Sequence, residues 1–184
     1  MEILIKKKRV SVIHASYIRH IRNGKIIWEQ RNVNNILHDQ GEIALLSAYF
    51  ATAMTDYGAP PANLYLGLDA RYGGAGLAEA DTLASLSGEP SGSGYARQPL
   101  STGGTGLSGQ DFYINQPAAY YRADGATVTF TTAGGWSAVT DMFLCTVISG
   151  AVGTLISSLA LDATRTLVGT DSLTASILTG LSEP

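Results

Sequence analysis

ATVTFTT (126–132), WSAVTDMFLCTVIS (136–149), TLISSLAL (154–161), TRTLV (164–168) and DSLTASILT (171–179) follow one another in the C-terminal third of the chain. Only AGG, GAVG, DA and GT separate them. Short runs rich in β-branched residues, broken by Gly and Asp, predict an antiparallel sandwich or barrel. The last run shows the period of two most plainly. Leu173, Ala175 and Ile177 fall on one face, and Ser172, Thr174 and Ser176 on the other. The stretch reads as scaffold, so function is expected on the surface that the scaffold carries.

Working outward, the whole chain has 184 residues, room for one good core. Charged residues are sparse and Gly is abundant, which suits an all-β protein with tight turns. The charge is unevenly divided. Residues 1–31 hold eight Lys or Arg against two acids, whereas the rest holds four Arg against 13 acids. A basic front and an acidic body can attract one another between subunits. The single Cys145 lies in an apolar run and reads as a small buried hydrophobe. No run of 18 apolar residues occurs, so no membrane span is expected. The apolar start of MEILIKKKR is too short for a signal peptide.

Residues 1–35 are read as a basic arm followed by a β-hairpin, and residues 36–184 as a β-sandwich domain. Asn23-Gly24 is the hairpin turn, because a type I′ turn needs positive φ at both central residues. The mixed faces of SYIRHIR predict an exposed ribbon, or one covered by a partner. Asp39 and Glu42 have capping-box spacing, and Ile43, Leu46, Phe50 and Ala53 mark one helical face. This predicts one substantial helix over 40–54, packed by that face on a sheet. NLYLGL (63–68) is a short strand. Residues 69–111 form a long Gly/Ser-rich loop with a short helix in LAEADTLASL, and such loops tend to bind or to form interfaces. A strand at 95–100 is expected at a sheet edge because of Pro99. The fold class is therefore mainly β: an antiparallel β-sandwich, jelly-roll or Ig-like, with an N-terminal hairpin and one helix.

Signals for chemistry are weak. His14, His20 and His38 lack companions at metal-ligand spacing. There is no nucleophile elbow, P-loop or dinucleotide fingerprint. No cofactor, no metal and no catalysis are expected. The Lys6-Lys7-Lys8-Arg9 run has no interleaved aromatics, and the acidic remainder argues against nucleic-acid binding. The competing class is a carbohydrate-binding module or glycan-active enzyme. It would use Trp28, Trp136, Tyr120 and Tyr121 as platforms, with Asp111, Asp124 and Asp141 as candidate carboxylates.

RNGKIIWE (22–29), NILHDQGEIAL (35–45), YLGL (65–68), GYAR (94–97) and the closing pair from Gly153 to Leu173 occur in that order. In this respect the chain resembles a group of tailed-bacteriophage structural proteins: head decoration (cement), minor capsid and tail-fibre components. It departs in having Gly169-Thr170-Asp171 where that group usually has Gly-Asp. The resemblance implies a virion component without catalysis. The expected role is a decoration protein on the capsid exterior, a homotrimer bound to the major capsid protein. The alternative is a tail or baseplate component that presents loops to a host surface. The candidate contact residues are Lys6, Lys7, Lys8, Arg9, Tyr17, Arg19, Arg22, Trp28, Arg97, Phe112, Tyr113, Tyr120 and Tyr121.

Overall fold

The computed structural model describes residues 13–33, 35–50, 61–70, 77–102, 111–115 and 122–180. Ten strands and one helix occur there. The strands are β1 (Ile13–Arg22), β2 (Lys25–Val33), β3 (Asn35–Leu37), β4 (Asn63–Asp69), β5 (Gln98–Ser101), β6 (Phe112–Asn115), β7 (Arg122–Thr131), β8 (Trp136–Cys145), β9 (Leu155–Leu167) and β10 (Ser172–Gly180); the helix is α1 (Asp39–Phe50). They form two five-stranded sheets, ordered β2-β1-β10-β7-β6 and β3-β9-β8-β4-β5. Every pairing is antiparallel. This is the expected mainly β, two-sheet architecture.

The core lies between the sheets. Ile18, Val128, Phe130, Leu173 and Ala175 enter it from the first, and Leu66, Leu68, Val139, Met142, Leu144 and Leu167 from the second. Alternation along β10 holds as read: Leu173 and Ala175 are buried, while Ser172, Thr174 and Ser176 are partly exposed. β8 behaves differently. Asp141 to Cys145 are buried without interruption, because the second sheet is covered on its outer face as well.

The Asn23-Gly24 turn is present, with φ of 51° and 71°. The hairpin is not a separate ribbon, however. β1 lies between β2 and β10, and Ile18 and Val33 are core residues, so packing runs through the expected boundary at 35/36. His20 also points inward, which explains the mixed pattern: that face is buried but carries a polar junction. The expected arm, including Lys6 to Arg9, lies outside the described residues.

The helix starts at Asp39, and His38 O accepts the first helical bond from Glu42 N at 2.9 Å. The Asp39/Glu42 pair thus occupies the first turn, where negative charge faces the positive helix end. Residues 51–54 of the expected helix lie outside the described residues. Ile43 does not pack on a sheet; it is 47% exposed. Gly41 is turned to β9 instead, where an added Cβ would come within 2.3 Å of Ile156 O. A small residue lets the helix backbone reach the strand closely, while the side chains of Leu46, Phe50 and Ala53 lie outside the described residues.

The sheet margins are blunted. β5 carries Pro99 at an edge, as expected, and β3 spans only three residues. β2 is bulged at Ile27, where the β1–β2 register shifts.

Candidate contact surface and its internal junctions

Two polar junctions hold the loops to the sandwich. The first begins with a turn. Gly92, Ser93 and Gly94 have φ of 72°, 50° and 78°, three successive left-handed residues that reverse the chain. The reversal brings Glu89 back to Arg97. Arg97 Nε and Nη2 donate to the two Glu89 carboxylate oxygens, each at 2.7 Å. Nη1 donates to Val147 O at 3.0 Å and Nη2 to Gly150 O at 2.9 Å. The guanidinium also lies over the Phe143 ring, 5.2 Å from its centroid. Tyr95 Oη donates to Glu89 Oε1 at 2.8 Å and accepts from Leu68 N at 2.9 Å. Burial, with the Glu89 carboxylate beside it, pushes the Tyr95 phenol well above its ordinary range.

Segment 77–97 is thereby laid over the outer face of the second sheet. Leu77 and Leu83 pack there with Phe143, Cys145 and Leu155. Gly67 leaves room for the Phe143 ring, whose Cζ would lie 2.2 Å from an added Cβ. The expected binding loop therefore serves, over its described part, as a cover. The short helix expected in 77–86 is reduced to one 3-10 turn at Leu83–Ser85.

The second junction ties the hairpin to the β9–β10 turn. Arg22 Nη2 and Nε reach Asp171 Oδ2 at 2.7 and 3.0 Å, and His20 Nε2 meets the same oxygen at 2.9 Å. Val168 N also donates to it at 3.0 Å. The Arg22 hydrogen bonds, joined by the Val168 amide and His20, hold the Asp171 carboxyl far below the usual carboxylate range against its desolvation.

The candidate contact residues separate into groups. Tyr17 and Arg19 lie on the outer face of the first sheet, with the Arg19 guanidinium 4.1 Å from the Tyr17 ring centroid. Glu29 joins Arg19 to Arg31 on that face. Arg22 is half-exposed but engaged with Asp171. Trp28 is half-buried; its indole donates to Asp162 at 3.1 Å, and Arg165 lies 4.7 Å from the ring centroid. Arg97 is buried and fully engaged inside the chain, so its guanidinium is not available to a partner. Phe112 packs against the main core. Tyr113 belongs to β6, which pairs with β7. Tyr120 and Tyr121 lie outside the described residues.

Sequence reasoning missed His38 and Asp171 as junction residues, and missed the exposed apolar side chains at the hairpin end. Ile26 and Ile27 are about half-exposed, as is Val168 in the turn fastened to Arg22.

As sugar platforms, the indoles are poorly placed. Trp136 is buried, with its N–H directed at Gly92 O, 3.4 Å away, and Arg165 covers Trp28. A polar groove of about 340 Å³ lies beside Trp136, lined by Ser87, Glu89, Ser91 and Ser137 among others. Of the carboxylates, Asp111 caps β5 through Ser101 N at 2.7 Å, and Asp141 is buried beside Thr140. Among the described residues no three His, Cys, Asp or Glu side chains come together as a metal site. No described helix is long and apolar enough to cross a membrane.

Comparison with known protein families, with characterised proteins and with solved structures finds no match.

Proposed function

We propose that this chain is a non-enzymatic structural protein of a tailed-phage virion, a capsid decoration protein that lies on the outside of the major capsid protein shell as a homotrimer. One observation carries the reading. Motifs far apart in the sequence fasten on one another: Arg22 of RNGK bonds Asp171 of the closing pair, and Tyr95 of GYAR bonds the Leu68 amide of YLGL. The ordered motifs are therefore parts of one interlocked scaffold, which supports a reading in which the fold carries a binding surface and not a reaction centre.

Among the described residues, the outer face of the first sheet and the hairpin end are left uncovered. Tyr17, Arg19, Lys25, Ile26, Ile27 and Arg31 combine cations with apolar and aromatic area, a composition that suits protein contacts. A stable contact buries on the order of 1,000 Å² or more. A density map of the intact virion tests the proposal. Copies spread over the shell support decoration, and Arg19→Glu with Arg31→Glu should then weaken attachment without changing the circular dichroism. Copies confined to the tail would move the chain to the alternative, a tail or baseplate component. No density on the particle would end the virion reading.

A further inference from the structure

His38 stands where β3, α1, β9 and the covering segment meet. Its residue is fully buried. Nδ1 lies 3.2 Å from Glu79 O and Nε2 2.9 Å from Ser158 Oγ. A carbonyl can only accept, so Nδ1 carries the proton and Nε2 accepts from the Ser158 hydroxyl. The neighbouring Asp39 amide donates to the same Glu79 O at 3.1 Å. Two donors from the start of α1 thus grip one carbonyl of the 77–81 turn, and Leu77 and Leu83 press the segment down beside it.

Protonation disturbs this arrangement in three ways. It places a charge out of reach of water. It puts that charge at the positive end of α1. It obliges Nε2 to donate, so the Ser158 hydroxyl must turn its hydrogen elsewhere. Opposing these, the described charged groups around the ring are all acidic: Asp39 and Glu42 on α1, and Glu79 and Asp81 on the covering segment. β3 contributes no charge and β9 presents Ser158. Burial is the larger influence and lowers the His38 pKa, against the pull of the Glu79 carbonyl and of Asp81.

We propose that His38 is an acid-sensitive latch: neutral, it holds segment 77–86 on the second sheet, and protonated, it loosens that segment while the sandwich stays folded. The sign follows from linkage. A histidine harder to charge in the closed state leaves the latch intact above the ordinary imidazole value of about 6.5 and weakens it as pH falls below that. The device does not depend on the virion reading.

Hydrogen exchange of the full chain, corrected for the intrinsic pH dependence of exchange, tests it between about pH 8 and about pH 5. Exchange of amides 78–86 should rise several-fold on acidification, while β1 and β10 stay protected. His38→Asn keeps a donor for Glu79 O but cannot take up the charge, so its exchange should not change with pH. A wild type without pH dependence, or a variant that retains it, would overturn the latch. If the variant does not fold, histidine ring resonances of the wild type decide. The His38 midpoint must coincide with the loosening, and a ring that titrates without it, or stays neutral until global unfolding, sinks the proposal.

Discussion

The two sheets of this sandwich treat their outer faces in opposite ways. No described segment covers the outer face of the first, and the polar groups there are shared among side chains that keep part of their surface in water: Glu29 with Arg19 and Arg31, Thr129 with Thr174 at 3.0 Å. The second is wrapped by segment 77–97, and the guanidinium beneath that cover, Arg97, is 2% exposed, although its partner Glu89 keeps 26%. The same pairing chemistry therefore has different consequences. Exposed pairs contribute little because water serves each partner nearly as well. A covered guanidinium depends on its carboxylate, because water cannot take the carboxylate's place.

Glu89→Ala is the sharpest way to break the comparison. It leaves the Arg97 guanidinium, whose side chain is 2% exposed, without its carboxylate, and removes the nearer acceptor of the Tyr95 hydroxyl. Loss of one partner of a buried pair destabilises by about 3–5 kcal/mol. Denaturant unfolding should show that loss, with segment 77–97 losing exchange protection first. A change within error would mean that the cover is not held by this pair.

Next in size is Gly67→Ala. The new methyl would meet the Phe143 ring, which is itself clamped between Gly67 and Arg97. Overpacking of this kind costs about 1–3 kcal/mol. Thermal melts should show the loss, and Phe143→Leu in the same chain should recover part of it by freeing space. No recovery would place the strain in the β4 backbone instead of at the ring.

These two effects also show what the sequence could and could not reveal. Alternation made β10 legible, since it meets water on one side and the core on the other, and the Asn23-Gly24 turn made the hairpin legible despite its mixed faces. MFLC in β8 gave no alternation, because both of its faces are buried, and nothing local announces the second covering layer. Glu89 and Arg97 lie eight residues apart across a Gly-Ser-Gly stretch that reads as flexible. Only the run of left-handed residues turns the stretch into a reversal. Ile43 misled for a related reason: helical periodicity reports apolar spacing, whereas the contact with β9 is set by the absence of a side chain at Gly41. The candidate contact residues were chosen by type, and type does not separate an outward Arg19 from a buried Arg97.

Asp171 probes the seam between the two faces, with a smaller effect. Its folded pKa is depressed, so its contribution to stability is complete above the ordinary carboxylate value and is lost as pH falls through and below it. Melting temperature should therefore drop between about pH 5 and about pH 2 more steeply in the wild type than in Asp171→Asn. The variant should already be weakened near neutral pH, where His20 and Arg22 lose the charge that they share. Parallel curves for the two proteins would show that acid lability arises elsewhere.

Glu29→Gln should have the smallest effect, and it bears most directly on function. The carboxylate accepts from two arginines, Arg19 first, and these bonds lower its pKa. All three side chains lie on a face that no described segment covers and keep contact with water, so the midpoint of unfolding should scarcely move. Whatever difference exists should shrink in high salt, which screens exposed charges. The variant also raises the positive charge of the face proposed to meet the shell. If that face binds a partner through Arg19 and Arg31, freeing them should alter attachment in a salt-dependent way while the fold stays unchanged. A stability loss as large as that of Glu89→Ala would mean that the outer face of the first sheet is covered in solution, by a neighbouring copy or by part of this chain. The contrast between an open and a wrapped face would then belong to the isolated sandwich and not to the protein at work.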